Sequence, residues 1–254
     1  MAHLFPSIRG LFQVRLRSMM DRVAVAFRWT FSLHPRDNIL TSESDKFLLS
    51  MKATAKTRYN ASIRLKYLGK FTFLTTTFLS LGLIFIPLLQ NSGVKLVLAV
   101  GVINSMQLFI AVSVLVYSVI QGTARYELRS EQFNECGDNL KELIREFGRE
   151  REAAGGQLTK DQLAAFERRY SDITTDVENH TRGDYRLVTL AMKRDYRVTG
   201  IPRIIEWLLA RGEQLIPYTF PLALLVLEAL FITDILGVTK TFAGILTAAA
   251  PIAG

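Results

Sequence analysis

The chain has 254 residues, of which 49% are hydrophobic and 21% charged, with a formal net charge of +8. Length alone would suit one or two soluble domains, but the charges are absent from whole stretches, and a charged residue at the centre of an inserted helix costs about 2.5–3.5 kcal/mol. A lone cysteine, Cys136, excludes a disulfide framework and a Cys-rich metal site.

The first twenty residues contain no acid, and four Arg fall by Arg22. That pattern suits either a transit peptide or a helix lying on a membrane surface, and both readings stay open. Met51 is an alternative start, ahead of the better-organised part. Residues 1–45 are therefore read as a basic, possible amphipathic segment. His34-Pro35-Arg36-Asp37-Asn38 breaks it, and Thr41 to Asp45 suits a helix start. From Lys46, the apolar Leu48, Met51, Ala55, Tyr59 and Ile63 recur at helical steps and lead into Phe71–Gln90, twenty residues without a charge. About twenty residues is the length a helix needs to cross a hydrocarbon core. Leu96–Ile120 supplies a second span behind the polar turn Asn91 to Lys95.

Helical spacing continues after the second span through Phe133, Cys136, Leu140, Leu143, Ile144 and Phe147. One helix is thus expected from Leu96 to about Glu150, on the order of 80 Å long. Two such helices joined by a short turn are antiparallel, so residues 46–150 form a long hairpin whose ends pack as a stalk below the membrane. Ala153-Ala154-Gly155-Gly156 ends it. Thr159 and Gln162 can then form a capping box, with Leu158 and Leu163 as a staple. The face Leu163, Phe166, Tyr170, Ile173 and Val177 should lie against the stalk. A break at Thr181-Arg182-Gly183 precedes a helix from Asp184 to Arg197, and residues 151–200 read as cytoplasmic helices. Ile201–Leu209, with Trp207 and Arg211, reads as an interfacial helix before a third span at Leu215–Ile235, which holds Glu228 and Asp234. The tail 237–254 stays unassigned. The fold class is an all-α membrane protein: a two-span antiparallel hairpin extended into a cytoplasmic helical bundle, with a third C-terminal transmembrane helix.

Lys and Arg set the orientation. Residues 1–70 carry 13 of them and residues 121–213 carry 16, against one, Lys95, between the first two spans and one, Lys240, after the third. Cytoplasmic flanks keep that excess. The N-terminus and residues 121–213 are therefore expected inside, in a multi-pass inner-membrane protein. Residues 1–70 balance 13 basic side chains with only 4 acidic ones, whereas 121–213 hold 16 and 17. The basic excess before the first span favours anionic headgroups, and the lipid bilayer as partner, over direct nucleic-acid binding.

No phosphate loop, dinucleotide turn or His-Glu-x-x-His helix is present, so no cofactor and no metal is expected. The dense polar cluster is Glu178, His180 and Asp184. It reads as a helix cap and hydrogen-bond cluster before it reads as an acid–base site of a surface hydrolase or transferase. Inside the spans, Thr72, Thr76 and Ser80 fall at intervals of four, and Gly101, Asn104, Gln107, Ala111 and Ser118 form a second stripe. Such stripes pack helices together or line water in an oligomer. Glu228, an ionisable group within a span, either serves function or is locally packed.

The run Lys56 to Lys66, the two-span hairpin, Ala124-Arg125-Tyr126-Glu127-Leu128, and Tyr170-Ser171-Asp172-Ile173 followed by Glu178-Asn179-His180 and Asp184-Tyr185 together resemble the SLATT family of bacterial two-span effectors, over roughly residues 40–200. The resemblance implies a non-enzymatic, oligomeric, pore-forming or membrane-disrupting effector in antiviral defence by abortive infection. It also implies a nucleotide-signal synthase or reverse transcriptase as partner, and Tyr170, Glu178, Asn179, His180, Asp184 and Tyr185 as a family-motif cluster. The alternative is a membrane anchor or adaptor that recruits a partner enzyme through residues 121–213. The apolar C-terminal segment departs from a plain two-span pattern.

Overall fold

A computed structural model of the chain describes residues 20–33 and 42–242. The breaker at 34–38, most of the basic N-terminal segment and the tail from 243 lie outside the described residues. Every regular element among the described residues is helical. Residues 20–30 are helical, and six helices follow: α1 Glu43–Asn91, α2 Val100–Ala124, α3 Tyr126–Ala153, α4 Lys160–Thr175, α5 Arg182–Ala191 and α6 Gly200–Ile235.

Several boundaries differ from expectation for local reasons. Residues 96–99 are not helical, because the Val97 N–H donates to the Ile235 carbonyl at the end of α6 (3.3 Å) and Leu98 is buried. The continuous helix expected from Leu96 to Glu150 is interrupted at Arg125, which sits in the left-handed region at φ 45° and ψ 44°. This conformation costs a non-glycine residue about 1–2 kcal/mol. It falls where a Cβ on Gly69 would stand 3.3 Å from the Tyr126 Cβ, a close backbone approach. α5 begins at Arg182, two residues before the expected start, because Thr181 caps it; Gly183 is buried in its first turn. The same helix ends at Ala191, short of Arg197. Residues 200–235, read as an interfacial helix and a separate span, form one helix of 36 residues with Pro217 and Pro221 inside it.

The described residues divide into two compact units, those up to 60 with 135–212 and residues 61–134 with 213–242. In the first unit α4 packs on α1 and α3. Met51, Leu143, Phe147 and Phe166 form a buried core joined by Phe47, Leu163, Tyr170 and Ile173. Ala55, Cys136 and Leu140 form a second cluster, which Val177 joins from beyond the end of α4. The capping box is present: Thr159 Oγ1 accepts from the Gln162 N–H and Gln162 Oε1 accepts from the Thr159 N–H. Arg169 grips Glu146 with two hydrogen bonds of 2.8 and 2.7 Å, and the pairing lowers the Glu146 pKa. Gly137 lets the ring of Tyr59 lie on α3, since a Cβ there would meet ring carbons at 3.0 Å. Tyr59 donates to Asp138 at 2.7 Å. Burial, then that bond, pushes its phenol up to about 12.

The second unit is a three-helix bundle whose contacts fix its directions. Phe71 meets Tyr218 at 5.0 Å and Gly82 faces Glu228, so α1 and α6 advance together and are parallel. Thr76 bonds Gln121 and Gln90 bonds Asn104, so α2 runs against α1. Tyr117 with Phe220 and Val97 with Ile235 show α2 antiparallel to α6 as well. Ile86, Leu98, Ile103, Ile110, Phe231 and Ile235 make its core. Among the described residues, three helices are long and apolar enough to cross a membrane, and only 17–28% of their most apolar windows is buried. The outward residues include Phe73, Phe78, Ile84, Leu108, Leu115, Leu215 and Leu222. A contiguous surface of that size is unfavourable in water and suits hydrocarbon.

Candidate functional site

Two groups of polar residues stand out, one among the apolar helices and one in the first unit. In the former, hydroxyls bond mainly along their own helices. Thr72, buried, donates to the Gly69 carbonyl at 2.8 Å, and Thr76 donates to the Thr72 carbonyl and to Gln121 Oε1 at 3.0 and 3.1 Å. Ser118 is exposed and donates to the Val114 carbonyl at 2.7 Å. Asn104, also exposed, accepts from Gln90 Nε2 at 3.0 Å. Ser80, Gln107 and Ala111 are half-buried and Gly101 is exposed. The stripe of α2 is thus split: part of it turns inward and part of it lies on the outer surface of the chain.

Glu228 is buried at 4% exposure, and its Oε1 finds no hydrogen-bond partner among the described residues. It lies about 20 Å along α6 from Leu215 and about 10 Å from Ile235 at 1.5 Å per residue. Room for its carboxylate comes from Gly82 on α1, where a Cβ would collide with Oε1. Asp234, which in sequence stands beside it as a similar acid, is used differently. Its carboxylate accepts from Thr239 Oγ1 and from the N–H groups of Thr241 and Phe242, fastening the turn after α6. Sequence spacing did not single out Thr75 and Tyr117. Both are buried, and their hydroxyls also lack a partner among the described residues. A spacing of three from Thr72 could have pointed to Thr75, and a phenol inside an apolar run could have pointed to Tyr117.

In the first unit the motif residues divide between structural and surface roles. Tyr170 exchanges a 2.8 Å hydrogen bond with Thr54 and packs edge-on against Phe47. Arg58, from the Lys56–Lys66 run and 3% exposed, donates to the Glu178 carbonyl and to the Thr174 carbonyl, so its guanidinium closes the end of α4. Glu178 and Asn179 themselves are exposed. Asp184 is fully buried as the third residue of the α5 capping box, accepting from the Thr181 hydroxyl at 2.8 Å and from the Thr181 N–H. Asp184 is thus engaged in the α5 cap while also acting electrostatically on His180, and Glu178 lies at the surface.

His180 and Tyr185 do share a space. They line a cavity of about 420 Å³ with Arg182, Arg186, Thr189, Leu190, Tyr196, Val198 and Glu206. Their rings lie 6.3 Å apart with planes 31° from each other. Burial, reinforced by Arg58 and opposed by Asp184, lowers the His180 pKa, so the imidazole is neutral near pH 7. Arg186 pairs with Glu206 at 2.9 Å, and Arg203 donates to the carbonyls of Leu190 and Val198 at 2.9 and 3.3 Å. No group of three or more His, Cys, Asp and Glu suited to a metal occurs among the described residues.

Residues 41–233 match the SMODS and SLOG-associating 2TM effector domain family 5. The chain belongs to the SLATT family. It is a membrane protein of an effector family, built around apolar helices. No curated protein and no solved structure matches it. The match runs through nearly all of α6, whereas the motif resemblance had stopped near residue 200. The third apolar helix, read from sequence as a departure from the family, therefore lies within the SLATT region of this chain.

Proposed function

We propose that this SLATT protein is a non-enzymatic, oligomeric effector that perforates or disrupts the inner membrane in bacterial antiviral defence by abortive infection. The observation that carries the reading is Glu228, an ionisable side chain buried among the apolar helices whose Oε1 has no hydrogen-bond partner among the described residues, in a chain of an effector family. Such groups are expensive in a membrane and mark pathways or switches. Three helices enclose too little space for a channel, so conduction needs several copies, and the outward Asn104 and Ser118 give those copies polar contacts. The Lys and Arg distribution supports residues 121–213 facing the cytoplasm, where a nucleotide-signal synthase or reverse transcriptase would act as partner.

The test is membrane integrity. Full-length protein in liposomes should release an entrapped dye, and triggered cells should lose membrane potential. Intact potential in triggered cells would overturn the proposal in favour of an adaptor that recruits an enzyme through residues 121–213.

A further inference from the structure

The cavity in the first unit plays no part in crossing a membrane, yet its walls are chemically selective. At about 420 Å³ it falls within the range of roughly 300–1,000 Å³ typical of small-molecule sites. Charge at the site is unbalanced. Arg182 and Arg186 line it, Arg203 is bonded to the carbonyls of two lining residues, and Arg58 acts electrostatically on His180. Against these, Glu206 is the carboxylate in the lining and is paired with Arg186, and Asp184 is held in the cap of α5. Arg182 stands exposed at the rim.

The remaining lining favours a flat group. His180, Tyr185 and Tyr196 contribute three rings, Leu190 and Val198 add apolar contact, and Tyr185 is 42% exposed, leaving ring surface uncovered. His180 Nδ1 is buried and has no hydrogen-bond partner among the described residues. A neutral imidazole nitrogen serves as donor or acceptor according to tautomer, so it can take up a polar atom of a guest.

We infer that this cavity binds a small phosphate-type anion carried on a flat ring, with Arg182 and Arg186 on the anion and Tyr185 and His180 against the ring. Guanidinium groups suit this task because their fork matches two phosphate oxygens while their faces stack on rings. The inference rests on the effector reading, for which the guest would be the trigger. Glu206 gives the site a consequence: it lies in the second turn of α6, the helix that continues to Ile235 as the third apolar segment. An anion that takes Arg186 from Glu206 breaks the bond tying α5 to α6, so occupancy is felt by that helix.

The experiment uses full-length protein in phosphatidylcholine nanodiscs, titrated with phenyl phosphate and with inorganic phosphate and followed by isothermal calorimetry. Phenyl phosphate should bind saturably and at least tenfold more tightly than inorganic phosphate. Arg182→Ala and Tyr185→Ala, both at exposed side chains, should each weaken it at least tenfold while the helical circular dichroism is unchanged. Absence of saturable binding, equal affinity for the two probes, or binding indifferent to both substitutions would overturn the assignment. Loss of phenyl phosphate binding in phosphatidylglycerol nanodiscs would identify a lipid headgroup as the occupant and overturn it too. Binding is read without any leak, so a protein that binds the probe yet leaves liposomes intact refutes the effector reading and spares the site; the converse refutes the site alone.

Discussion

Gly82→Ala, made with and without Glu228→Ala, isolates the contact between α1 and α6 at Glu228. Alanine is favoured over glycine inside a helix by about 1 kcal/mol. Were Gly82 facing lipid, the substitution would stabilise the protein. Instead its new Cβ lands on the Glu228 carboxylate. The carboxylate ends a flexible side chain, but at 4% exposure it has little open space to move into, so a methyl at position 82 presses it against its neighbours. Overpacking of that kind costs about 1–3 kcal/mol. The single substitution should thus be neutral to destabilising by about 2 kcal/mol, whereas in the Glu228→Ala background it should stabilise by about 1 kcal/mol. The coupling is the difference, about 1–3 kcal/mol, within the range of contacting residues. Reversible denaturation of the full-length protein in detergent, followed by circular dichroism, measures all four corners of the cycle. A Gly82→Ala effect that is the same in both backgrounds would refute the packing of Gly82 on Glu228, and with it the parallel register of α1 and α6.

Replacing Asn104 and Gln107 together with Leu should abolish dye release from liposomes if the α2 stripe lines water; release at the wild-type rate would show that the stripe only packs. Arg58→Met should cost at least about 1.5–3 kcal/mol, the worth of a hydrogen bond from a charged donor, because the Thr174 and Glu178 carbonyls lose it. The same change should raise the His180 pKa, read by NMR, since Arg58 is one cause of its depression. In the wild type, the folded pKa of His180 lies below the unfolded value of about 6.5. The unfolded chain therefore binds more protons between those two values, and the stability His180 contributes is full above the unfolded pKa and falls as pH drops toward the folded one. A His180 titration unmoved by Arg58→Met would contradict this. Cys136 is 2% exposed and its thiol is pushed up by burial, so at pH 7 a maleimide should label it only as the first unit opens. Labelling at the rate of a free thiol would refute the packing of α3 on α1 and α4.

Sequence by itself determined the solvent of this protein and its helical plan, because missing charge over twenty residues and a repeat of three and four are local properties that need no partner to be read. The same holds for the start of α4, where Thr159 and Gln162 are three residues apart and cap each other within one turn. Tertiary structure alone decided the roles of the polar residues. Glu228 and Asp234 look alike in the sequence, yet one is buried against Gly82 with no hydrogen-bond partner for its Oε1 among the described residues and the other fastens the turn at 239–242. Asp184 serves as the capping partner of Thr181, while His180 and Tyr185 gain their meaning from Tyr196 and Glu206, which come from later segments. A side chain's chemistry is set by what surrounds it, and in a helical protein those neighbours are delivered by elements distant in the chain.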